Sequence, residues 1–373
     1  QERNRIAIDF YINEGSTARI KEVKIIGVTK FDENDLLSRL DLKPTSFMSW
    51  WNKDDRYSRQ ILTGDLEKIR SFYMDRGYLD FDIENTTVSI SESKKNVYIA
   101  IIIDEGDKYN FGDIKISGKY YPLKEELIFQ NDIKTIKGEV FSRKLLNQST
   151  ELINKELGNY GYAFSNVNPI PDVDKDNLTV GFNYFIEPGK KVYVRRISFI
   201  GNERTQDKVL RREMRQFESS YYDQEKIDQS TRRLKRTQYF EGIDIKTVSV
   251  PGISDQVDLT VAVKEKNTGS VKLGAGASSD EGLVGSFSVT QANFLGTGNT
   301  VSASINTSSV NTVYSLSHID PYFTPDGISR RLTGYMRETN TKDLDTGQYD
   351  KKSYGAGVGF GVPMNEFDTV NIG

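Results

Sequence analysis

The chain has 373 residues, with 50 Lys and Arg against 53 Asp and Glu, one His and no Cys. A net charge of -3 provides no basic field for nucleic acid. The absence of Cys excludes disulfide scaffolds, thiol catalysis and Cys-ligated metals. No apolar run approaches the length of a membrane-spanning helix, about 18 residues.

In chain order, Arg5–Ile12 alternates as a strand and runs into Glu14-Gly15, so it reads as the last strand of an earlier unit. Ile20–Ile26 is a strand closed by Gly27, and Asp32–Leu40 is a short helix with Asp32 as its N-cap. The loop Phe47–Trp51 holds both tryptophans and is expected to fold back over a small core. Tyr57–Asp75 is a longer helix that carries Leu62, Leu66, Ile69 and Tyr73 on one face. Gly77 follows where a left-handed C-terminal cap is wanted. Phe81–Ile90 and Val97–Ile103 are strands joined by the polar turn Ser91–Asn96.

This strand-helix-helix-strand-strand phrase then repeats. Glu14-Gly15, Glu105-Gly106 and Pro188-Gly189 each precede, by twelve residues, a strand-closing glycine: Gly27, Gly118 and Gly201. Gly77, Gly161 and Gly242 end helix-like segments 84 and 81 positions apart. Two phrases in one period mean that a small domain was copied. In the second copy Tyr109–Ile116 opens, Leu146, Ile153 and Leu157 share a helical face, and Leu178–Ile186 closes. The third has Val192–Ile200, helices over Arg204–Phe217 and Asp223–Gln238, and strands Ile243–Val250 and Val257–Val263. Each unit of about 80 residues buries a thin core of two helices on a three-stranded sheet. The first and last strands pair in parallel across the helices and the last two form a hairpin, so the penultimate strand is left at an edge.

From Gly269 the material changes. The tail holds 17 of the 103 charged residues but 15 of the 30 glycines, and its period is two. Tyr354, Ala356, Val358, Phe360 and Val362 share one face of Ser353–Val362, with Ser and Gly on the other. Val301, Ala303 and Ile305 oppose Ser302, Ser304 and Asn306; Leu283, Phe287 and Val289 oppose Ser286, Ser288 and Thr290. Such two-faced strands suit lipid outside and water inside. Turns at Asp280-Glu281-Gly282, Gly296–Asn299 and Pro325-Asp326-Gly327 predict about six strands of roughly ten residues, fewer than the eight or so of the smallest closed barrel. Further strands are therefore expected beyond them. A soluble antiparallel sheet is the competing reading of this pattern alone.

The three units resemble POTRA domains. Lys264–Ser270, Asn293–Asn299 and Asp320–Thr324 resemble the start of an Omp85-superfamily barrel. The resemblance implies an α+β POTRA array (β-α-α-β-β) followed by the N-terminal part of an antiparallel transmembrane β-barrel. Its boundaries would be 1–15 for the end of a preceding unit, 16–106, 107–189 and 190–266 for units three to five, and 267–373 for incomplete barrel strands. It implies residence in the Gram-negative outer membrane with the units in the periplasm. The implied function is receipt of unfolded outer-membrane proteins, handed over by periplasmic chaperones, and their insertion into lipid without ATP. The lipoprotein BamD is expected at the fifth unit and BamB near the third. The related alternatives are a translocation and assembly protein or a two-partner secretion transporter; the unit begun at Arg5–Glu14 speaks against both. A periplasmic scaffold without insertase activity is the third.

Three candidate sites follow. The edge strand Phe81–Ile90, with Phe81, Ile83 and Asn85, is expected to accept a client or partner strand. Arg211, Arg212, Arg215 and Glu218 are expected to dock a partner, against the reading of a solvated helix face. The first barrel strand, with Val271, Leu273, Gly274 and Gly276, is expected to form a lateral seam that glycine weakens. No enzyme is expected and no cofactor, metal or catalytic residue is assigned: His318 stands alone, and Gly355, Gly357, Gly359 and Gly361 lack the Lys-Ser/Thr of a phosphate loop.

Overall fold

A computed structural model describes residues 18–45, 55–279, 281–340, 349–366 and 368–373. The readings at Arg5–Ile12, Glu14-Gly15, Phe47–Trp51 and Asp280 lie outside the described residues. The chain divides into two compact bodies, Gln1–Leu157 with Phe164–Gly189, and Gly158–Ala163 with Lys190–Gly373.

The first body holds two copies of the repeat. In the first copy the elements are β1 (Arg19–Ile26), α1 (Glu33–Ser38), α2 (Arg59–Met74), β2 (Asp82–Ile90) and β3 (Asn96–Asp104). Asp32 caps α1 by accepting the Asn34 N–H, and Ser58 caps α2. The sheet order is β1-β3-β2, with β1 parallel and β2 antiparallel to β3, as the repeat pattern predicts. Gly27 must be glycine: its φ is +103° and a Cβ would lie 2.2 Å from the Ile103 carbonyl oxygen. The core contains Ile20, Leu36, Ile69, Tyr73, Ile99 and Ile101. Inside it the Asp65 carboxylate accepts the N–H groups of Asp41 and Leu42, so the chain leaving α1 is fixed to α2 without an exposed backbone donor.

The second copy comprises β4 (Asn110–Gly118), α3 (Glu125–Leu127) running into one π-helical turn, α4 (Arg143–Asn159), β5 (Asn166–Asp174) and β6 (Thr179–Glu187), with sheet order β4-β6-β5. Ser149 takes the place of Asp65 and accepts the Lys134 N–H. The two copies are tied by Arg143 to Glu67 at 2.8 Å and by the Tyr109 hydroxyl donating to Asp80 at 2.8 Å.

The second body begins with β7 (Tyr193–Ile200), α5 (Asp207–Arg211), α6 (Gln224–Thr237), β8 (Phe240–Ser249) and β9 (Gln256–Glu265), in sheet order β7-β9-β8. The expected helix Arg204–Phe217 is realised only over Asp207–Arg211. After Arg212 the backbone tightens, with Glu213 and Met214 donating to carbonyls three residues back, and the Arg215 N–H leaves for the Ser230 hydroxyl. Tertiary capture of that donor ends the helix. Ser230 is the third member of the series Asp65, Ser149, Ser230, and it repeats in the period of the helix-ending glycines.

The rest of this body is one antiparallel sheet of seven strands: β10 (Gly269–Ser278), β11 (Gly282–Phe294), β12 (Asn299–Thr307), β13 (Asn311–Asp320), β14 (Ser329–Asn340), β15 (Asp350–Pro363) and β16 (Thr369–Ile372). Each strand pairs with its sequence neighbours, one strand more than the turn signals predict. The architecture is therefore α+β repeats followed by a sheet like part of a barrel.

Candidate functional site

The seven-stranded sheet has two unlike faces, set by its register. Leu273 pairs with Phe287, Phe287 with Ile305, Ile305 with Tyr314, Leu316 with Gly334 and Leu332 with Val358. These side chains lie on one face and are exposed: Leu273 by 80%, Leu316 by 58%, Tyr354 by 72%, Val358 by 50% and Phe360 by 37%. A contiguous apolar surface of this size on a water-soluble domain would aggregate, so it calls for lipid. The opposite face is mainly Ser, Thr and Gly, with a few larger polar side chains such as Tyr335. There Ser304 bonds Ser315 at 2.7 Å, and Tyr335 lies so close over Gly355 that no larger residue fits there.

Within the second body, three sheet turns close on the third repeat. The β11–β12 turn inserts beside the loop before α5: the Gly296 carbonyl accepts the Gln206 N–H at 3.0 Å, and the Asn293 amide donates to the Thr205 hydroxyl at 2.7 Å. Gly296, at φ +72°, would place a Cβ 1.9 Å from the Arg204 carbonyl oxygen. The same loop is braced from behind by Glu265, which accepts the N–H groups of Arg204 and Thr205. Burial works against the Glu265 charge, but these bonds outweigh it and hold its carboxyl below the usual range.

The β13–β14 turn brings Tyr322 under the Arg212 guanidinium, 4.3 Å from ring centre to Cζ, and its hydroxyl accepts from Arg233 at 2.6 Å. The β15–β16 turn brings Glu366. Its carboxylate accepts from Arg215 Nε at 2.7 Å and Arg233 Nη1 at 2.5 Å, and its carbonyl accepts from Arg236 at 3.1 Å. Arg233 also reaches Glu213 at 2.9 Å. The Arg215 hydrogen bond, against partial burial and helped by Arg233, holds the Glu366 carboxyl below its ordinary range. Four guanidinium groups thus meet two carboxylates at the rim, and the arrangement sets the repeat against the sheet by directional bonds rather than by an apolar seam.

The expected partner surface divides under this geometry. Arg212 and Arg215 turn inward to Tyr322 and Glu366. Arg211 and Glu218 stay on the outside and brace each other at 3.3 Å; Glu218 also accepts the Ile197 N–H. They are surface-accessible and part of the fold at once. Arg233, Tyr322 and Glu366 are missing from the sequence-based set. One signal was available: α6 carries Arg233 and Arg236 with no acidic residue four positions to either side, so their partner had to come from elsewhere.

On the edge strand of the first repeat, Phe81 lies outside β2 and is buried, stacked on Tyr73 with centroids 4.3 Å apart. Its side chain serves the core. A bulge between Ile83 and Asn85 shifts the alternation, so Ile83 faces the core with Ile103 while Asn85 is exposed on the other face. In β10, Val271 and Leu273 are exposed on the apolar face, Gly276 has open space around it and Gly274 lies against Ser286. β10 pairs only with β11, and among the described residues its other edge is unpaired. His318 Nε2 lies 3.3 Å from the Asn299 amide nitrogen.

The comparisons agree with this geometry. The POTRA family model, described as a surface antigen variable number repeat, matches residues 18–106, 109–189 and 192–266. The Omp85 superfamily domain matches residues 293–373. The chain belongs to the POTRA family, and its last part matches the Omp85 superfamily domain. Among relatives of this POTRA–Omp85 chain is the outer membrane protein assembly factor BamA of Neisseria meningitidis, 34% identical over all of this chain and 47% of that protein. BamA of Buchnera aphidicola is 30% identical over 99% of this chain and 60% of that protein. The chain spans about half the length of the curated relatives it matches. The crystal structure of BamA from Haemophilus ducreyi lacking POTRA domains 1–3 is 33% identical, with a TM-score of 0.61 over 69% of this chain and 48% of that one. BamA POTRA3–5 of Haemophilus influenzae is 26% identical, with a TM-score of 0.60 over 69% of this chain and all of that one.

Proposed function

We propose that this chain acts as the central component of the outer-membrane β-barrel assembly machinery, with its POTRA units in the periplasm and its sheet in the outer membrane. Residues 16–106, 107–189 and 190–266 act as POTRA units three to five, 1–15 ends the unit before them, and 267–373 opens the barrel. The units receive unfolded outer-membrane proteins from periplasmic chaperones, and the barrel folds and inserts them without ATP. The outer edge of β10, softened by Gly274 and Gly276, is the seam on which a client hairpin is templated. BamD docks on the fifth unit through Arg211 and Glu218, the outward pair of its basic cluster, and BamB lies near the third unit.

The observation that carries this reading is the exposed apolar face of β10–β16 joined directly to a POTRA unit. A soluble scaffold would bury that face. The test is depletion of the full-length protein, with outer-membrane proteins assayed for heat-modifiable folding and rescue by a form whose β10 edge is disulfide-locked to its closing strand. Loss of folded clients on depletion and failure of the locked form to rescue are expected. Full rescue by the locked form rejects the seam, and normal client folding on depletion rejects the assembly role.

A further inference from the structure

Each three-stranded POTRA sheet has two edges, and the structure treats them differently. On the first-strand edge, the loop before the second helix lies down as a short extra strand: Arg19 bridges Arg56, Asn110 bridges Val140 and Tyr193 bridges Tyr221. Backbone bonds support each bridge, including Ile20 N–H to the Asp55 carbonyl, Phe111 N–H to Glu139 and Val194 N–H to Ser220. These edges are therefore covered at their starts in all three units, whereas among the described residues β2, β5 and β8 carry no such bridge and present their outer edges along their whole length.

These three are not equivalent. β2 is in unbroken register from Asn85 to Ile90, and β8 from Gly242 to Ser249, and neither contains proline. β5 pairs with β6 without a break from Asn166 to Asp174, yet it contains Pro169 opposite Tyr184 and Pro171 opposite Phe182. An antiparallel strand turns the N–H and C=O of alternate residues to alternate sides. Proline has no N–H, so in an intact ladder both prolines occupy positions that face away from β6. The outward set of β5 is then Val167, Pro169, Pro171 and Val173, and two of its four donors are gone.

We propose that capture of extended client strands by the POTRA array takes place on β2 and β8 and is barred from β5, because Pro169 and Pro171 remove the donors that an added strand would need. This rests on the reading that the units receive unfolded polypeptide, and it assigns that role edge by edge. Strand addition draws its affinity from main-chain bonds, so a missing pair of adjacent outward donors interrupts the ladder at its centre whatever the client's sequence.

The test uses the full-length protein and, as probe, a synthetic peptide with the sequence of β12, Asn299–Thr307. A photo-crosslinking residue is placed in turn at Thr87, Asp172 and Lys246, exposed positions on the three edge strands. The peptide is expected to label from Thr87 and Lys246, with labelling from Asp172 about tenfold weaker, the effect of losing roughly 1.4 kcal/mol. In the double variant Pro169→Thr, Pro171→Thr, labelling from Asp172 is expected to rise to the level of Thr87. Equal labelling at all three positions in the parent chain overturns the assignment while leaving strand capture standing. So does an Asp172 signal that stays low in a double variant whose other two positions still label. Labelling at none of the three overturns both the assignment and the receiving role on which it rests.

Discussion

If the face of the sheet that carries Leu316 meets lipid and the face that carries Ser317 meets water, one substitution must have opposite consequences at these two adjacent residues. Both lie in the middle of β13, Leu316 opposite Ala303 and Gly334, Ser317 opposite Ser302 and Thr333. An arginine at Leu316 would push its guanidinium toward the hydrocarbon at mid-strand, which costs about 2–4 kcal/mol. It would also give up the lipid contact of a Leu side chain that is 58% exposed, about 1–2 kcal/mol more. Leu316→Arg should therefore destabilise the barrel by about 3–6 kcal/mol, whereas Ser317→Arg, among small polar neighbours, should cost about 1 kcal/mol or less. Both variants of the full-length protein are to be folded into vesicles and unfolded with guanidinium, with heat-modifiable migration as a second readout. Equal losses, or a larger loss at Ser317, would contradict the assignment of the two faces and with it the membrane reading.

Asp132 gives a pH signature. Burial, reinforced by the nearby Glu156 charge and only partly offset by Lys134, pushes its pKa up to about 6. Its folded pKa lies above the unfolded value near 4, so the fold binds the extra proton and stability rises as pH falls from 7 toward 4; Asp132→Asn should flatten that rise in urea titrations at several pH values and add about 1–3 kcal/mol at pH 7. Gly296→Ala should destabilise the rim by about 2–4 kcal/mol through its positive φ and the clash with the Arg204 carbonyl, while Gly334→Ala, with no atom within 4 Å, should be neutral in the same thermal scan. Glu366→Gln should free the β15–β16 turn, and hydrogen exchange at residues 368–372 should accelerate about three- to tenfold at pH 7, for partly exposed pairs worth roughly 1 kcal/mol together. Because the folded Glu366 pKa is depressed, that difference should be present above the ordinary carboxylate range and fade as pH falls through and below it.

What the sequence disclosed was whatever a fixed period writes into it. The two-residue alternation of Tyr354, Val358 and Phe360 was enough to name the exposed face, because side chains in a strand have no other way to distribute. The strand order β1-β3-β2 followed from the helices between parallel partners. Three features were not legible, each for its own physical reason. The bulge at Glu84 adds one residue that alternation cannot foresee, and it separates Ile83 from Asn85. The helix expected over Arg204–Phe217 stops early, because the Ser230 hydroxyl took a donor that its continuation needed. The ionic rim joins Glu366 to Arg215 and Arg233 across more than a hundred residues, and no local pattern encodes such a pairing.

If the POTRA array receives unfolded polypeptide as proposed, the strength of an open edge sets what kind of receptor it is. Asn85–Ile90 of β2 presents six residues, of which three turn their N–H and C=O outward. Six hydrogen bonds at a net 0.5–1.5 kcal/mol each yield about 3–9 kcal/mol, against about 1–2 kcal/mol of backbone entropy for each client residue that is ordered. Over six ordered residues the balance is about -3 kcal/mol at best, so main-chain capture is weaker than millimolar. An edge of this kind neither selects a client by sequence nor holds one for long. Two such edges on one chain raise the local concentration of a client that has already bound one of them. On the receiving role proposed above, weak, sequence-tolerant and repeated contacts would let an unfolded chain be passed on without an energy source, since no single contact would have to be broken against a large free-energy barrier.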